Sequence, residues 1–437
     1  MNTPPSPAYE ASSSRSDEFD LVVIGGGAAG LTAAGVGVNL GAKTIMIEAA
    51  KLGGDCTWTG CVPSKALLKS AEVAHQARTA SEYGVRTGPV EVDFAAVMNR
   101  VRTLREEIYE EDDHPRKFEG MGIDVQHGPA RFVDAHTVRI EGRDGPRTVR
   151  GSKFVIAAGG HPWVPPIEGL EDVPYLTNHS LFDLEEQPDR LGIIGAGPIG
   201  TEMSQAFSRL GSEVIVFETL DRILRKDDEE LARMLQDRLV EEGVEYRCGA
   251  RVSRASRNED GTILLETEGE NAHRETVDAL LVAVGRRPNL AGLGLDAAGI
   301  EYEDRGISVD DRCRTSQSHI FASGDVTGRY QFTHMSEHMS KVAVTNALLK
   351  WPMTIDADHV PWVTYTDPEL AHVGAPREDL EEQGASYRVY RFPYSRVDRA
   401  VTDGETTGLI KIFARSWNGK ILGASVLGNR AGELISE

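Results

Sequence analysis

Short apolar runs that lead into glycine-rich segments and then into helical stretches occur twice along this chain. The first run covers residues 21–24, and the strand that closes the same unit ends in Glu48. The second run begins at residue 191, and its closing strand ends in Glu218. In both copies the acidic residue lies 23 positions after the first glycine of the segment. A strand, a helix and a second strand in this order predict a βαβ unit, so we expect two such units.

Both glycine-rich segments have the spacing of a dinucleotide-binding fingerprint. In such a fingerprint the first glycine makes a tight turn, the second lets the pyrophosphate approach the backbone, and the third lets helix and strand pack closely. The phosphates lie at the helix N-terminus, where free N–H groups and the helix dipole favour anions, and the acid binds the ribose hydroxyls. The glycines concerned are Gly25, Gly27 and Gly30 in the first copy and Gly195, Gly197 and Gly200 in the second. Glycines that only closed tight turns would not place both acids, so we predict two dinucleotide sites.

The rest of the chain suggests several further elements. Residues 65–110 have a helical pattern, residues 154–156 and 320–322 are typical of strands, and residues 333–350 are typical of a helix. From residue 359 the pattern changes to alternating strands, which predicts an antiparallel sheet in a separate C-terminal domain. A chain of 437 residues is too long for one core, so we expect two to four domains.

Composition and charge narrow the class of protein. A hydrophobic content of 40% is normal for a globular protein, and no apolar run approaches the ~18 residues of a membrane span. The formal net charge of −21 argues against partners such as nucleic acid or an anionic membrane surface. Residues 1–17 are rich in proline and serine and lack the apolar core of a signal peptide. We therefore expect a disordered tail and a cytoplasmic protein.

Two of the four cysteines, Cys56 and Cys61, lie five residues apart, directly after the first nucleotide unit. No second Cys or His pair follows at the spacing of zinc ligands, and a cytosolic protein of this size does not need a disulfide staple. A helix N-terminus and a neighbouring cation lower the pKa of a thiol and raise its reactivity. We interpret the pair as redox-active, with a zinc half-site and a structural disulfide as the alternatives. Cys248 and Cys313 stand alone and are expected to be small buried side chains.

The segment GGDCTWTGCVPSK, residues 53–65, resembles the active-site segment of the class I pyridine nucleotide-disulfide oxidoreductases. This family includes dihydrolipoamide dehydrogenase, glutathione reductase and mercuric reductase. The resemblance covers residues 18–437 and includes Ala157-Ala158-Gly159 and residues 284–289, 321–325 and 365–369. It implies an α/β fold with two Rossmann-type dinucleotide-binding domains, one for FAD and one for NAD, and an α+β dimerisation domain.

The resemblance also implies domain boundaries and a homodimer. The expected parts are a disordered tail at 1–17, an FAD-binding and central domain at 18–153 and 286–357, an NAD(P)-binding domain at 154–285, and a dimerisation domain at 358–437. The family's C-terminal His and Glu are missing, and the chain stops at Glu437 within what reads as the first turns of a helix. We therefore expect that the sequence is truncated and that its dimerisation domain is incomplete.

Roles for individual residues follow from the same resemblance. Cys56 would be the exposed thiol that meets the substrate, and Cys61 would lie against the flavin. Lys65 would lie beside flavin N5, paired with Glu202, and Asp325 would hold the ribityl chain of FAD. The cofactor-binding positions implied by the resemblance are Gly25, Gly27, Ala29, Gly30, Glu48, Gly54, Lys65, Ala130, Ala158, Gly159, Gly195, Gly197, Gly200, Glu202, Glu218, Gly285, Asp325, Thr333 and His334.

The implied activity is the transfer of electron pairs between a nicotinamide, FAD and the Cys56–Cys61 disulfide. NADH is expected over NADPH because Glu218 would face a 2′-phosphate, although Arg222 or Arg225 could partly offset the repulsion. The substrate, a small molecule or a protein disulfide, stays open. Mercuric ion normally demands extra thiolates, and glutathione needs basic residues, whereas lipoamide suits an apolar pocket. The alternatives are an NADH-oxidising flavoprotein and a redox-sensing module without disulfide turnover.

Three further features of the sequence need an interpretation. Trp58 stands where better-known members of the family carry Asn, and it is either a packing residue or part of a substrate pocket. Asp55 replaces the usual Thr beside the FAD pyrophosphate. His334 and His338 fit the H-x-x-E-H pattern of some zinc proteases. No third ligand is evident and the stretch matches the flavin-facing helix, so we predict no metal site.

Overall fold

The computed structural model describes residues 17–143, 145–269 and 272–436. The predicted disordered tail, apart from Asp17, therefore lies outside the described residues, as does Glu437. Among the residues that are described, no helix is long and apolar enough to cross a membrane.

The first third of the chain builds a seven-stranded sheet with helices packed on it. Its elements are β1 (Glu18–Ile24), α1 (Ala28–Asn39), β2 (Thr44–Glu48), α2 (Gly54–Trp58), α3 (Cys61–Thr79), α4 (Phe94–Ile108), α5 (Pro115–Gly120), β3 (Asp124–His127), β4 (Ala130–Asp134), β5 (Thr137–Gly142) and β6 (Gly145–Ile156). The strand order is β3-β2-β1-β6-β5-β4, and a later strand also pairs with β6. β3, β2, β1 and β6 are parallel, whereas β5 and β4 are antiparallel.

The middle third builds a second parallel sheet and a small antiparallel one. Its elements are β7 (Gly160–Pro162), β8 (Tyr175–Leu176), β9 (Arg190–Ile194), α6 (Pro198–Leu210), β10 (Glu213–Glu218), α7 (Glu229–Glu241), β11 (Glu245–Cys248), β12 (Arg251–Arg257), β13 (Ile263–Glu268), β14 (Arg274–Val277), β15 (Ala279–Val282) and β16 (Arg286–Pro288). The parallel sheet has the order β11-β10-β9-β15-β8, and β12-β13-β14 form the antiparallel one. Both predicted βαβ units are therefore present, as β1-α1-β2 and β9-α6-β10.

The last third returns to the first sheet and then forms a five-stranded antiparallel sheet. Its elements are β17 (Tyr302–Glu303), β18 (Gly306–Ile307), β19 (Ile320–Ala322), α8 (Thr333–Leu349), β20 (Trp362–Thr364), β21 (Glu369–Gly374), α9 (Arg377–Glu382), β22 (Tyr387–Pro393), α10 (Asp398–Asp403), β23 (Leu409–Arg415), β24 (Ile421–Gly428) and α11 (Ala431–Leu434). β19 is the strand that pairs with β6. The C-terminal sheet has the order β20-β21-β24-β23-β22. The predicted α/β fold class and the antiparallel C-terminal sheet are confirmed.

The core explains why the first unit forms where it does. Leu21, Val22 and Val23 are fully buried, so β1 is covered on both faces, which is typical of a central parallel strand. Small side chains on α1 let α8 approach, and the hydroxyl of Ser340 on α8 donates a hydrogen bond of 2.8 Å to the carbonyl of Ala29 on α1. This packing brings the N-terminus of α8 towards the carboxyl end of β1, where ligands of open α/β sheets bind.

Two expectations about boundaries need correction. Residues 65–110 form two helices, α3 and α4, rather than one continuous helical stretch, because Gly84 adopts a left-handed φ of +77° and Pro89 follows in the connecting segment. The boundary expected between residues 153 and 154 falls inside β6. The last residue of that strand, Ile156, pairs with Ile24 of β1, so the whole strand belongs to the first sheet.

Candidate active site

The two acidic residues at the ends of β2 and β10 make equivalent hydrogen bonds. The carboxylate of Glu48 accepts from the backbone N–H of Gly26 at 2.6 Å and of Ala50 at 2.7 Å. The carboxylate of Glu218 accepts from Ala196 at 2.8 Å and from Leu220 at 2.9 Å. Each acid thus fastens the glycine-rich loop of its own unit to the end of the neighbouring strand.

The glycine-rich loops have the geometry that a dinucleotide cradle requires. A Cβ on Gly30 would lie 1.8 Å from the carbonyl oxygen of Gly25, and a Cβ on Gly200 would lie 1.9 Å from that of Gly195, so only glycine fits where helix meets strand. Gly197 has no atom within 4 Å of an added Cβ, so the backbone at that second glycine faces open space. The residues present therefore fit bound dinucleotides at both loops.

One continuous cleft with a volume of about 2460 Å³ runs between the two loops. This is more than twice the upper end of the roughly 300–1,000 Å³ that a single small-molecule pocket occupies, so the cleft has room for two dinucleotides. The sequence-predicted residues that line it are Gly25, Gly27, Ala29, Glu48, Gly54, Cys56, Cys61, Lys65, Ala158, Gly159, Gly195, Gly197, Glu202, Glu218, Gly285, Asp325, Thr333 and His334. Gly30 and Gly200 lie behind the loops, and Ala130 is buried in the core of the first sheet, outside the lining.

Cys56 and Cys61 both line the cleft, and both are half-buried. Cys61 is the first residue of the 19-residue helix α3, and its Sγ lies 3.2 Å from Oγ1 of Thr333 at the start of α8. A hydrogen bond from the Cys56 thiol, together with Thr333 and the positive charge of Lys65, lowers the pKa of Cys61 to about 6. The same thiol–thiol hydrogen bond and burial raise the pKa of Cys56. The negative charge of a reduced pair therefore resides on Cys61.

A cation on α3 and an acid on α6 of the second nucleotide unit meet next to this thiol. Nζ of Lys65 on α3 lies 3.0 Å from a carboxylate oxygen of Glu202 on α6. The backbone N–H of Tyr365 donates to the same carboxylate at 2.9 Å, and the Lys65 ammonium lies 4.3 Å from the centre of the Tyr365 ring. The structure thus brings together the pair that the sequence proposed, and it adds Tyr365, which the sequence reasoning did not assign to the site.

Arg286 is a second site residue to which the sequence reasoning gave no role, although it lies in the quoted motif at residues 284–289. Its guanidinium donates to the carboxylate of Asp325 at 3.2 Å, to the carbonyl of Gly160 at 2.8 Å, and to the carboxylate of Asp55. Burial raises the pKa of Asp325, while the neighbouring Arg286 lowers it. Asp55 is therefore one end of a three-residue charge network at the cleft wall.

Trp58 lies between the two cysteines in the chain, as the last residue of α2. Its indole N–H donates to the carbonyl of Leu52 at 2.8 Å, and its ring lies 5.1 Å from that of Tyr109. The ammonium of Lys51 lies 3.9 Å above the indole, and Arg105 donates to the Trp58 carbonyl at 2.9 Å. These contacts hold Trp58 in place, and the residue also lines the cleft together with the two cysteines.

The two histidines of the H-x-x-E-H pattern and the two isolated cysteines have separate surroundings. His338 accepts a hydrogen bond from the backbone of Asp356, and His334 stacks on Phe332 with ring centres 5.5 Å apart. Within the residues that the structure describes, no group of three or more His, Cys, Asp or Glu side chains could hold a metal ion. Cys313 is fully buried as expected, whereas Cys248 is only half-buried, because β11 lies at the edge of the second sheet.

Comparison with known proteins points to the same family that the sequence resembles. Residues 19–340 match the family described as pyridine nucleotide-disulphide oxidoreductase, and residues 360–437 match its dimerisation domain. Mercuric reductase of Lysinibacillus sphaericus is 36% identical over 422 residues, which cover 96% of this chain and 76% of that protein. A dihydrolipoyl dehydrogenase of Bacillus subtilis (strain 168) is 33% identical over 432 residues, which cover 96% of this chain and 90% of that protein.

Solved structures agree with the sequence comparisons. The Cu(II) complex of the HOCl-induced flavoprotein disulfide reductase RclA from Escherichia coli has a TM-score of 0.84 at 30% identity, covering 96% of this chain and 91% of that one. Family, relatives and fold all describe FAD-dependent enzymes that use a pyridine nucleotide. The chain belongs to the pyridine nucleotide-disulfide oxidoreductase family.

Proposed function

We propose that the protein is an NADH-dependent disulfide oxidoreductase in which Cys61 exchanges electrons with FAD and Cys56 exchanges electrons with the substrate. FAD, when bound, supplies a carrier that accepts two electrons from nicotinamide and passes them to a disulfide. The observation that carries the proposal is the asymmetry of the thiol pair. Cys61 lies at the N-terminus of α3, next to Thr333 and the Lys65 ammonium, and all of these favour its thiolate.

The protonation states of the two cysteines during the reaction follow from this asymmetry. In the reduced pair Cys61 is the thiolate, and Cys56 keeps its proton, because the pKa of Cys56 is raised. Attack on a substrate disulfide requires that Cys56 first lose that proton, since the thiolate is the nucleophile. Cys56 then forms a mixed disulfide, and the substrate sulfur that leaves takes up this proton and departs as a thiol. Cys61 attacks Cys56, releases the second substrate thiol and closes the Cys56–Cys61 disulfide.

NADH is the preferred nucleotide in this proposal. The carboxylate of Glu218 is fixed by two backbone N–H groups at the position where the ribose hydroxyls of a bound nucleotide would lie. A 2′-phosphate there would meet a like charge, which disfavours it by about 4 kcal/mol at ~4 Å and an effective dielectric near 20, less after solvent screening. Arg222 does not offset this, because its guanidinium is buried and donates to the carbonyls of Ile223 and Leu224. Arg225 is exposed at the cleft and keeps the preference moderate.

A small disulfide is the substrate class that we favour, and a metal ion that binds thiolates, such as mercuric or cupric ion, is the alternative that the names of similar proteins suggest. Both react with a thiolate, so the chemistry at Cys56 is compatible with either. Two further elements belong to the proposal. The protein forms a homodimer through its C-terminal domain, and it works in the cytoplasm, where thiols are kept reduced.

Three enzyme forms and three acceptors test the proposal. We expect the wild-type holoenzyme to oxidise NADH with a quinone dye and with lipoamide, and Cys56→Ser to keep dye reduction while losing lipoamide reduction by at least ~100-fold. Cys61→Ser should behave in the same way with lipoamide. Mercuric or cupric ion in place of lipoamide identifies the alternative class. Lipoamide turnover that survives in Cys56→Ser would rule out the proposed role of Cys56.

A further inference from the structure

Asp55 places a negative charge beside the cradle for an anionic ligand. It follows Gly54, and a Cβ on Gly54 would lie only 2.8 Å from the Cα of Gly27, the second glycine of the first fingerprint. Asp55 and Gly27 line the same cleft. The second glycine of such a fingerprint is the point where a pyrophosphate approaches the backbone. Asp55 therefore lies one residue away from the place where the FAD pyrophosphate carries its charge.

Arg286 is the cation that this charge engages. Its side chain is largely buried, with 15% of its surface exposed, and it is shared between the carboxylates of Asp55 and Asp325. Oδ1 of Asp55 also accepts from the hydroxyl of Thr59 at 3.0 Å and lies 3.4 Å from Nε2 of His179. Two carboxylates thus already surround one guanidinium at the edge of a site that must also accept a doubly charged pyrophosphate.

We propose that Asp55 competes with the FAD pyrophosphate for Arg286 and thereby makes this chain hold FAD more weakly than it would with a neutral residue at position 55. The contacts of Arg286 favour competition between Asp55 and the pyrophosphate over a purely structural role for Asp55. Arg286 donates through Nε to Asp325 and through Nη2 to Gly160 and Asp55, so the positive charge that would attract a phosphate is already offset by two carboxylates, one of which belongs to Asp55. Without the charge of Asp55, the phosphate would meet the same cation with Asp325 as the one carboxylate of this network beside it.

The dissociation constant of FAD in Asp55→Asn and Asp55→Thr tests this inference without relying on turnover. Holoprotein is diluted, and released FAD is quantified by its fluorescence. Asn keeps the shape of the side chain and an oxygen that can accept from Thr59, so it removes the charge and the oxygen that accepts from Arg286. We expect the dissociation constant to fall about tenfold in both variants at low salt, and the difference to shrink at about 1 M salt, where charge interactions beyond ~3 Å are screened.

Asp183→Asn is the matched control. Asp183 lines the same cleft, and its carboxylate accepts from Arg105 at 2.9 Å instead of from Arg286. The control makes the same change in net charge, and we expect its FAD dissociation constant to stay within about twofold of wild type. Equal or weaker FAD binding in Asp55→Asn, a gain that does not depend on salt, or an equal gain in Asp183→Asn would each overturn the proposal. Loss of the fold in both Asp55 variants would overturn it too, since it would make Asp55 a structural brace.

Discussion

Nζ of Lys65 and Oε2 of Glu202 lie 3.0 Å apart, although 137 residues separate them in the chain. The pair joins α3, which begins with Cys61, to α6, which begins at the second glycine-rich loop. The side chains of the two residues differ in how far they are exposed. The side chain of Glu202 is 6% exposed and that of Lys65 is 39% exposed. The carboxylate therefore depends on its partner more than the ammonium does.

This asymmetry predicts unequal effects on stability. Lys65→Met removes the cation and leaves a buried carboxylate with the Tyr365 N–H as its remaining partner, so we expect the free energy of unfolding to fall by about 1–3 kcal/mol. Glu202→Gln leaves a half-exposed ammonium that water can solvate, and its effect should be smaller. Urea unfolding of both holoproteins at pH 7 measures the difference, with the double variant as the test of coupling. If both single variants lost the same free energy of unfolding, the burial of Glu202 would not determine which partner depends more on the pair.

The thiol asymmetry predicts a pH-dependent spectrum. Cys56→Ser leaves Cys61 as a free thiolate next to FAD, so the oxidised holoprotein should show a long-wavelength absorbance band without any reductant. Since the pKa of Cys61 is about 6, the band should be present at pH 8 and disappear as the pH falls through about 6. The hydrogen bond from Cys56 is the largest cause of that low pKa, so in Cys56→Ala the band should disappear at a higher pH than in Cys56→Ser. A band in Cys61→Ser instead would reverse the order of the two thiols.

The fixed position of Glu218 predicts a change in nucleotide preference. We expect kcat/KM to favour NADH over NADPH in the wild type by a moderate factor, about tenfold. Glu218→Gln removes the charge and keeps one of the two hydrogen bonds, because its single amide oxygen accepts from Ala196 or from Leu220, so the ratio should move towards NADPH by about tenfold. Arg222→Gln should leave the ratio unchanged, because Arg222 points into the backbone. Steady-state kinetics with both nucleotides decide the matter, and a wild type that uses NADPH equally well would contradict the assignment.

A buried acid between two domains predicts how stability varies with pH. Asp227 is 4% exposed, and burial raises its pKa from 3.8 to about 6, although the indole N–H of Trp362 donates to it at 2.8 Å. An acid whose pKa is higher in the folded state binds its proton more tightly there. It therefore lowers stability as the pH rises from about 4 to about 6, by about 1–3 kcal/mol.

Asp227→Asn should remove this loss, because an amide oxygen still accepts from Trp362 and carries no charge. We expect the variant to be more stable than wild type at pH 7 and to match it more closely at pH 4.5. Thermal unfolding at the two pH values measures the effect. A variant that is less stable at pH 7 would mean that the Asp227 carboxylate is well compensated within the fold.

The extent of the sequence-based prediction can be traced through particular residues. Gly25, Gly30 and Glu48 were predictable because a short stretch of chain encodes both the turn and the strand end. The contact of Lys65 with Glu202 came from family resemblance, since no local spacing joins residues so far apart. The division of residues 65–110 into α3 and α4 was missed, although Gly84 and Pro89 were visible signals for it.

The features that the sequence did not predict depend on contacts between distant segments. Asp55 and Arg286 lie 231 residues apart, and nothing in either local pattern says which acid a guanidinium will choose. Arg222 was expected near the nucleotide, but its side chain turns inward and donates to the ends of its own loop. Asp227 has the sequence pattern of one more surface acid in an acidic chain, yet it is buried and accepts a hydrogen bond from Trp362, which lies 135 residues away. Such choices depend on tertiary packing, which sequence periodicity does not encode.

The inward hydrogen bonds of Glu48 and Glu218 also bear on how quickly and how tightly nucleotides bind. The hydrogen bonds that fasten each glycine-rich loop join a side chain and a backbone N–H of the same βαβ unit, so the fold of the unit itself sets the loop conformation. Immobilising a loop at the moment of binding would subtract from affinity, and a loop that is already rigid avoids that entropy loss. Both glycine-rich loops are therefore already rigid when the nucleotides bind, and exchange of one nucleotide need not disturb the loop that binds the other.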